Sequence, residues 1–532
     1  MKTIPNLLNE LSDRVGSKTA LVDRGTCQTY SQLRERSLTL GEGLRAQGIE
    51  KGDRVGLWMP NIIAYIEMFF ACAEIGAIVV SVNTKFKSFE LADIVSRSGC
   101  KMLVLWPDFK NIPFFEILSE VPADGLSHLE SVVLYSEKES QKFTIPACLS
   151  NKNIVNFSDL YVQTELEKRN IDEQDGLVIF TTSGTTGKPK FVLHSHKSIT
   201  VHAGEVADHF SYADKDCRML QAIPLCGTFG LTQTLAGLAS GAEVYCLPVF
   251  DPAQGAQLII EHKITDMNGS DDMFAMLLDQ SDDDIPYPSL KQAGFAAFNP
   301  ALSDIVEHAE MRGIRLAGLW GMSELQALFA RQEISMPADL RKRAGGVLVS
   351  THAKVRITDP ETGEKLAFGE QGEIEISAPS QMKEYFGNPE ATRNTFTDDG
   401  YIKTGDLGYQ EDERSFLFIA RMGDVLRLGG FLTDPKEIEN CLQEISGVSQ
   451  AQVVGVETIK GVKAFAFITS DAQFEIIEDD VIAHCKARLA GYKLPIRAVI
   501  VNAFPMTESA NGLKIQRSKL RDDAAKIWQQ AL

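Results

Sequence analysis

Ten residues from Thr181 to Lys190 carry the side chains best suited to chemistry in this chain. The stretch Thr-Thr-Ser-Gly-Thr-Thr-Gly-Lys-Pro-Lys holds five hydroxyl groups, two glycines and two lysines. It follows Gly176–Phe180, whose apolar run predicts a short buried strand. Glycines allow tight turns, and successive backbone N–H groups can form a nest for an anion. A polar surface turn is the alternative, and the spacing of a Walker A loop does not fit. The stretch therefore predicts a loop that binds phosphate.

The segment from Gly318 to Glu324 predicts contacts to a nucleotide. The ring of Trp320 can stack on adenine, and the hydroxyl of Ser323 can donate to a phosphate. Glu324 is an oxygen ligand of the kind that Mg²⁺ takes together with substrate phosphates. The alternative is a core tryptophan beside a surface carboxylate. The phosphate loop upstream favours the nucleotide interpretation.

Aspartates in two other segments lead to different interpretations. Asp406 is expected at the end of a strand, where its carboxylate can accept hydrogen bonds from both hydroxyls of a ribose. Asp271 and Asp272 are adjacent and could form an acid–base pair. Ser270 or Asp271 at a helix N-terminus is the more common use of such residues. We therefore predict a ribose ligand at Asp406 and a helix cap at Ser270 or Asp271.

Composition limits the class of protein. The chain has 532 residues, of which 44% are hydrophobic and 23% charged, as in a soluble globular protein with more than one domain. The net charge of −19 argues against a nucleic-acid partner. Nine cysteines without a Cys-x-x-Cys pair indicate reduced thiols in a cytoplasmic protein. The N-terminus lacks the apolar core of a signal peptide. No transmembrane segment is expected, because Glu67 and Glu74 interrupt the apolar region 62–82.

Periodicity predicts two kinds of domain. Apolar strands alternate with helices up to about residue 105, which favours a parallel α/β layer. That stretch includes a buried helix at 62–74 and a strand at 77–82. Residues 107–172 are polar and predict an irregular surface connection, and residues 193–197 are expected to open a helix. Beyond residue 421, strands at 453–456 and 463–468 and a helix at 480–489 predict a small α+β domain.

These motifs resemble those of the adenylate-forming superfamily, which includes acyl-CoA synthetases, aryl-CoA ligases, luciferases and the adenylation domains of peptide synthetases. The matching segments, in family order, are 181–190, 221–230, 296–300, 318–324, 401–408, 420–431 and 505–517. The chain departs from the family pattern at several positions, among them the segment after Gly269, where the family usually has an apolar Gly-Val-Pro. Phe191 replaces a glycine, Gly227 replaces a histidine, Gly423 replaces a hinge Asp or Lys, and Leu513 is an extra residue before a lysine.

The resemblance implies an α/β fold in two parts. Residues 1–420 would form a large N-terminal AMP-binding domain of multilayer αβαβα architecture, with the ATP and acyl pockets. Residues 421–532 would form a small, mobile α+β C-terminal lid that carries a catalytic lysine. The active site would lie between the two domains.

The resemblance also implies a role for each matching residue. Lys514, Glu324 and Ser323 would be catalytic, and Glu324 would bind Mg²⁺. The residues implied to bind ATP are Thr182, Ser183, Gly184, Thr185, Thr186, Gly187, Lys190, Ala297, Leu319, Trp320, Asp406, Arg421 and Arg427. The implied acyl pocket consists of Gly227, Phe229, Gly269, Phe298, Gly321 and Met322. Gly429 and Gly430 would line the access path of a thiol.

The implied reaction is the ATP-dependent activation of a carboxylic acid to acyl-AMP, followed by thioester formation with CoA. No aspartate in the segment 221–230 is placed to pair with a substrate ammonium, which favours an acid without an α-amino group. Small Gly227 and Gly269 beside apolar Phe229, Phe298 and Met322 favour a fatty or aromatic acid. Two alternatives stay open. One is an acyl-AMP ligase that loads a carrier protein, and the other is a nucleotide-binding protein that has lost its chemistry.

Overall fold

The chain divides into two compact units. In the computed structural model, residues 3–110, 112–138, 141–162, 170–182, 189–213, 216–299, 302–422, 424–428, 431–458, 461–470, 476–489, 491–509 and 512–530 are described. The first unit comprises Met1–Lys354 and Ile376–Ile402, and the second comprises Val355–Glu375 and Lys403–Leu532. A large mixed α/β unit with a smaller second unit confirms the predicted fold class. The boundary at residue 421 and the mobility of the smaller domain stay predictions.

The α-helices are given in chain order. They are α1 (Ile4–Val15), α2 (Tyr30–Ala46), α3 (Ile63–Ile75), α4 (Ser88–Ser98), α5 (Phe114–Glu120), α6 (His196–His209), α7 (Thr228–Ser240), α8 (Pro252–His262), α9 (Asp271–Leu278), α10 (Ile305–Met311), α11 (Ala338–Arg341), α12 (Pro389–Thr395), α13 (Pro435–Gln443), α14 (Glu478–Arg488) and α15 (Arg517–Gln530).

The first sixteen β-strands belong to the first unit. They are β1 (Thr19–Asp23), β2 (Thr26–Thr29), β3 (Arg54–Trp58), β4 (Ile78–Ser81), β5 (Cys100–Leu105), β6 (Ser131–Leu134), β7 (Asn153–Asn156), β8 (Gly176–Thr182), β9 (Lys190–Ser195), β10 (Arg218–Gln221), β11 (Glu243–Cys246), β12 (Asn268–Ser270), β13 (Gln292–Ala296), β14 (Arg315–Met322), β15 (Gln326–Arg331) and β16 (Gly345–Leu348).

The remaining strands include one short strand of the first unit, β19. They are β17 (Lys354–Thr358), β18 (Gln371–Ser377), β19 (Glu384–Tyr385), β20 (Ile402–Asp412), β21 (Ser415–Arg421), β22 (Leu426–Leu428), β23 (Phe431–Thr433), β24 (Val448–Thr458), β25 (Gly461–Ser470), β26 (Ala498–Ile500), β27 (Met506–Ser509) and β28 (Gly512–Ile515).

The eight-stranded sheet of the first unit positions the predicted phosphate loop. Its strand order is β19-β9-β8-β4-β3-β5-β6-β7. Strands β8, β4, β3, β5, β6 and β7 pair in parallel, whereas β9 pairs antiparallel with β8. The parallel strands β3, β4 and β5 are rich in Val, Ile and Leu and are largely buried, as expected when helices cover both faces of a sheet. The predicted strand 176–180 is therefore confirmed as part of β8.

Helix α3 confirms the interpretation of the apolar region as a buried helix followed by a strand. It is buried nearly all round, yet it carries the buried Glu67. That carboxylate accepts hydrogen bonds from the side chains of Gln28 and Tyr161 at 2.7 and 2.6 Å and is paired with Arg36. A buried carboxylate needs such partners. Among the described residues, no helix is both long and apolar enough to cross a membrane.

One expectation about local structure was wrong and another was confirmed. Residues 107–172 include α5, β6 and β7, and the two strands extend the parallel sheet beyond β5. The helix expected to open within residues 193–197 is confirmed as α6, which begins at His196 and is capped by the side chain of Ser195 at the end of β9. Strands this short are stabilised by their pairing with neighbours rather than by a strong pattern of their own.

The first unit contains two further sets of strands. One is a four-stranded sheet in the order β10-β11-β1-β2, and the other runs β12-β13-β14-β15-β16. Strands β12, β13 and β14 pair in parallel, and β14 and β15 form an antiparallel hairpin. Apolar side chains from this set, α8, α9 and α10 form one core cluster.

The second unit is built mainly from antiparallel pairs. Strands β20 and β21 pair antiparallel, as do β22 with β23, β24 with β25, and β27 with β28. Helices α13 and α14 lie on one face of the β24–β25 pair, and α15 lies beside a second apolar cluster of the same strands. The predicted strands at 453–456 and 463–468 and the helix at 480–489 are confirmed within β24, β25 and α14.

Candidate active site

Strands β8 and β9 hold the two ends of the predicted phosphate loop together. Thr182 and Lys190 are paired across the two strands, and the hydroxyl of Thr182 lies 3.5 Å from the carbonyl oxygen of Lys190. Residues 183–188 lie outside the described residues. The predictions for Ser183, Gly184, Thr185, Thr186 and Gly187 therefore concern residues that the structure does not describe.

Phe191, which stands where the family has glycine, anchors the C-terminal end of the loop. Its ring is buried, and the guanidinium carbon of Arg97 lies 4.2 Å from the ring centroid. The same guanidinium donates a hydrogen bond of 2.8 Å to the carbonyl oxygen of Pro189. A cation over an aromatic face is attractive. Arg97 of α4 therefore contacts both Phe191 and Pro189, at the start of β9.

Glu324 follows β14 and is the best-defined carboxylate of the site. Its side chain is 8% exposed, and its Oε1 accepts a hydrogen bond of 2.6 Å from the hydroxyl of Tyr385. Its backbone carbonyl accepts one of 2.7 Å from the N–H of Met382. The ammonium nitrogen of Lys190 lies 4.6 Å from the ring centroid of Tyr385. The structure therefore brings Lys190 and Glu324 together around one tyrosine.

The hairpin β14–β15 accounts for the residue types before Glu324. Trp320 is buried and makes an edge-to-face contact with Phe329, with ring centroids 5.8 Å apart. A Cβ atom at Gly321 would lie 2.8 Å from the Cα of Ala327, so glycine is required for the two strands to approach. Leu319 is buried opposite Arg331, and Met322 is half-buried beside Gln326. The ring of Trp320 on β14 therefore packs against the ring of Phe329 on β15 and joins the two strands of the hairpin.

His194 fixes Ser323, and the sequence did not predict this contact. The Nε2 atom of His194 lies 2.7 Å from the carbonyl oxygen of Ser323. A carbonyl oxygen only accepts, so Nε2 carries the proton and Nδ1 faces the hydroxyl of Ser198 at 3.3 Å. Burial lowers the pKa of His194 to about 4, which keeps the ring neutral. His194 and Ser323 lie 129 positions apart in the chain. No local feature of the sequence could therefore have predicted this contact.

We expect the free energy of unfolding of the first unit to fall in acid, because three of its histidines are buried. Burial lowers the pKa of His194, His196 and His202 from 6.5 to about 4. Between these values the unfolded chain takes up protons that the folded chain does not. The free energy of unfolding therefore falls as the pH falls, by roughly 1.4 kcal/mol per pH unit for each histidine within that window.

The test compares wild type with His202→Gln in urea at several pH values across that window. Glutamine can still donate to the carbonyl of Ala327, which His202 contacts at 2.7 Å, but it does not titrate. The variant should lose stability less steeply as the pH falls. Equal slopes would contradict the assignment of a neutral, buried His202.

The implied acyl-pocket residues lie at or in α7, β12 and β14 and on the segment that follows β13. Gly227 precedes α7, Phe229 is buried in its first turn, and Gly269 lies in β12. A Cβ atom at Gly269 would meet the ring of Phe274 at 3.4 Å and the side chain of Met273 at 3.5 Å. A Cβ atom at position 269 would therefore make ordinary van der Waals contacts with two apolar side chains.

Asp271 orders the segment that contains Phe298, a role that the sequence did not predict. Its Oδ2 accepts hydrogen bonds from the N–H groups of Phe298 and Asn299 at 2.8 and 2.7 Å. Burial raises the pKa of Asp271, and the bond from Asn299 acts in the opposite direction. The side chain of Ser270 caps α9 by accepting from the N–H of Met273, which confirms the predicted cap. Ala297, just before Phe298, is exposed.

In the second unit, the structure pairs two of the predicted nucleotide ligands. Asp406 on β20 lies opposite Arg421 on β21, and Nη1 of Arg421 is 3.0 Å from Oδ1 of Asp406. The side chain of Asp406 is 1% exposed and that of Arg421 is 52% exposed. The N–H of Asp406 donates to the hydroxyl of Thr404, which itself donates to the carbonyl of Ile374. Asp406 is therefore rigidly held, and Arg421 has an exposed portion.

The predicted catalytic lysine lies in a regular hairpin. The backbone of Lys514 is part of β28, where it pairs with Thr507, and Leu513 pairs with Glu508. The extra residue Leu513 is thus accommodated in the strand without a bulge. The side chains of Lys514 and Arg427 are outside the described part, as are residues Gly423, Gly429 and Gly430. Arg427 has its backbone in β22.

The family comparison decides what this arrangement belongs to. Residues 9–386 match the model of the AMP-binding enzyme family, and residues 437–511 match that of the AMP-binding enzyme C-terminal domain. The chain belongs to the AMP-binding enzyme family. The superfamily predicted from the sequence is thereby confirmed, and so is its class, an AMP-forming acid–thiol ligase.

Several relatives of this AMP-binding enzyme match over nearly its whole length. YngI of Bacillus subtilis (strain 168), itself assigned only provisionally as an acyl-CoA synthetase, is 29% identical over 99% of this chain and 98% of its own. The medium-chain acyl-CoA ligase ACSF2, mitochondrial, of Mus musculus is 28% identical over 98% of this chain and 87% of its own. ATP-bound MatB from Rhodopseudomonas palustris has a TM-score of 0.81 at 23% identity, covering 98% of this chain and 99% of its own. At that identity the MatB structure shows the fold.

Proposed function

We propose that this AMP-binding enzyme joins a hydrophobic carboxylic acid to CoA through an acyl-AMP intermediate. The observation that carries the proposal is the arrangement of Lys190 and Glu324 around Tyr385. The ammonium nitrogen of Lys190 lies 4.6 Å from the centroid of the tyrosine ring, and the tyrosine hydroxyl lies 2.6 Å from Oε1 of Glu324. Lys190 ends a loop rich in hydroxyls and glycines. A cation, a carboxylate and such a loop together suit a nucleoside triphosphate with its metal ion.

The first step forms the adenylate. A carboxylate oxygen of the acid attacks the α-phosphorus of ATP, and the bond between that phosphorus and its bridging oxygen to the β-phosphorus breaks. Pyrophosphate leaves with the electron pair. A carboxylate is a weak nucleophile, so positioning and charge neutralisation supply most of the catalysis. Thr182, the loop and Lys190 hold the departing phosphates, and Ser323 donates to the α-phosphate.

The second step forms the thioester. The sulfur of CoA, having lost its proton to water, attacks the acyl carbon, and the acyl–oxygen bond to AMP breaks. AMP leaves with the electron pair of that bond. Lys514 is proposed to act in the first step by bridging the carboxylate and the α-phosphate. Gly429 and Gly430 are proposed to line the access of the thiol for the second, with residues 421–532 acting as the lid.

The residues present fit a magnesium ion beside the phosphates. The buried Glu324 has one carboxylate oxygen occupied by Tyr385. In the described part of the chain no hydrogen bond reaches its other oxygen, which leaves an oxygen ligand of the kind Mg²⁺ prefers. Such an ion would supply neutralisation of negative charge on the phosphates. The hydroxyl of Tyr385 and the N–H of Met382 hold Glu324 in place.

The second unit is proposed to recognise the adenosine. Asp406 would accept hydrogen bonds from both ribose hydroxyls, Arg421 would reach the ribose or phosphate, and Arg427 would face the adenylate. The rigid position of Asp406 supports the ribose assignment, because a fixed acceptor discriminates better between ligands with and without hydroxyls.

The acid is proposed to be fatty or aromatic. Phe229 is buried, and Gly269 packs against Phe274 and Met273, and these apolar neighbours support the proposal. All nine cysteines are unpaired, which supports a reducing compartment, and we propose a cytoplasmic location.

Mass spectrometry of the products tests the proposal directly. The enzyme is incubated with ATP, Mg²⁺ and a panel of fatty, aryl and amino acids, with and without CoA. Acyl-CoA that forms only with CoA is the expected result, and its acyl group names the substrate class. Acyl-AMP that accumulates and ignores CoA would instead indicate a carrier protein as the acceptor. ATP binding without any product would indicate a nucleotide-binding protein that has lost its chemistry.

A further inference from the structure

We propose that Tyr385 is a positioning residue that sets the spacing between the cation-binding carboxylate of Glu324 and the phosphate-binding ammonium of Lys190. This inference rests on the proposed function, because it assigns Tyr385 to the binding of the metal–ATP complex. Neither the sequence motifs nor the reaction steps above use this tyrosine. It is 3% exposed and contacts both charged groups.

The first step of the argument is that Tyr385 cannot easily move. Strand β19 pairs with β9, and Tyr385 lies opposite Val192. The N–H of Tyr385 donates to the hydroxyl of Thr392 at 3.0 Å, and the next residue, Phe386, donates its N–H to the carbonyl of Phe191 at 2.7 Å. Since Lys190 begins β9, the sheet fixes the ring relative to the strand that carries the lysine.

The second step concerns the opposite side of the site. Glu324 is held at its backbone by the N–H of Met382, and the preceding carbonyl, of Ser323, is held by His194. The rotation of the Glu324 side chain is then the main freedom left. The hydroxyl of Tyr385 removes that freedom by occupying Oε1. Hydrogen bonds to a charged acceptor are among the strong ones.

The third step links the two charges. The ring of Tyr385 receives Lys190 on its face, and its hydroxyl donates to Glu324. One side chain therefore ties the position of an ammonium to the position of a carboxylate. Groups that orient a metal ligand commonly change metal affinity when they are removed. We therefore assign to Tyr385 the task of keeping Glu324 available to a cation and Lys190 available to phosphate.

Two substitutions separate the two contacts. Tyr385→Phe removes the hydroxyl and keeps the ring, and Tyr385→Leu removes both. The matched control is Tyr287→Phe, because Tyr287 is also buried in the first unit and donates its hydroxyl at 2.6 Å, to the carbonyl of Leu277. The first readout is the binding of Mn²⁺, used in place of Mg²⁺, to the enzyme–ATP complex by electron paramagnetic resonance. The second is the KM for ATP at saturating Mg²⁺, and the third is thermal stability.

Tyr385→Phe is expected to weaken Mn²⁺ binding about 10-fold or more, in line with the loss of an orienting hydrogen bond, while the KM for ATP stays near the wild-type value. Tyr385→Leu should also raise the KM for ATP, because Lys190 loses its support. Tyr287→Phe should leave both quantities unchanged. The proposal is overturned if Tyr385→Phe weakens Mn²⁺ binding no more than Tyr287→Phe does, or if all three variants change only thermal stability.

The Mn²⁺ measurement also separates this proposal from the proposed function. It needs no acid and no turnover. A wild-type enzyme that makes no acyl-AMP but shows the expected difference between the two phenylalanine variants would refute the reaction and retain the role of Tyr385. An active enzyme in which Tyr385→Phe and Tyr287→Phe bind Mn²⁺ equally well would retain the proposed reaction and refute the role of Tyr385.

Discussion

Lys514→Ala is expected to lower the rate of acyl-AMP formation by about 10²- to 10³-fold, the usual effect of removing one group that stabilises charge in a transition state. The proposed role of the ammonium group is to bridge the acid and the α-phosphate as negative charge passes between them. ATP binding should change little, because the loop, Lys190 and Asp406 would supply most contacts to the nucleotide. The rate is measured by pyrophosphate exchange into ATP in the presence of the acid.

Two comparisons make this prediction specific. Lys519→Ala, at an exposed position on α15 of the same unit, removes an equal charge and should exchange pyrophosphate at the wild-type rate. Supplying Lys514→Ala with synthetic acyl-AMP and CoA should restore thioester formation, since the lysine is assigned only to the first step. Normal pyrophosphate exchange by Lys514→Ala would show that the lysine has been wrongly carried over from the family.

The strand that precedes the phosphate loop, β8, and the buried apolar helix α3 could be predicted from the sequence. Strand β8 and helix α3 have long apolar runs with clear ends, and such runs are the strongest local signal. The expected position of Asp406 at a strand end was wrong, because β20 runs from Ile402 to Asp412 and Asp406 lies inside it. Residues whose types are dictated by local structure, such as Ser270 at the start of α9, were also predictable.

The contacts that organise the site could not be predicted in this way. His194 meets Ser323 across 129 positions of the chain, and Tyr385 meets Glu324 across 61. Each pair is adjacent only because separate strands are placed side by side by the fold. The same reason explains why β6 and β7 were missed: their four-residue stretches are stabilised by pairing with β5 and with each other.

Phe191 shows how a departure from a family pattern can be resolved only by the structure. The sequence shows a phenylalanine where a glycine is usual, which by itself raises doubt about the loop. The structure supplies a partner from α4, with Arg97 contacting both the ring and the carbonyl of Pro189. The bulkier residue therefore adds an anchor at Pro189 and Phe191, at the C-terminal end of the loop.

Asp406→Ala is expected to weaken ATP binding by about 10²-fold or more, because a carboxylate that accepts two hydrogen bonds from ribose hydroxyls contributes several kcal/mol in a dry site. The substitution should cost little stability through Arg421, whose side chain is 52% exposed and can be solvated. Affinities are measured by calorimetry for ATP and for 2′,3′-dideoxy-ATP, which lacks both hydroxyls. Wild type should prefer ATP strongly.

The variant should lose that preference, and this outcome identifies the ribose as the partner. If Asp406 acted mainly by holding Arg421, the variant would bind both nucleotides more weakly and keep the wild-type ratio between them. Glu411→Ala removes an exposed carboxylate from the same strand, β20, and should keep both affinities. Inorganic tripolyphosphate provides the last comparison. It carries no ribose, so wild type and Asp406→Ala should bind it equally, whereas a general collapse of the site would weaken all three ligands together.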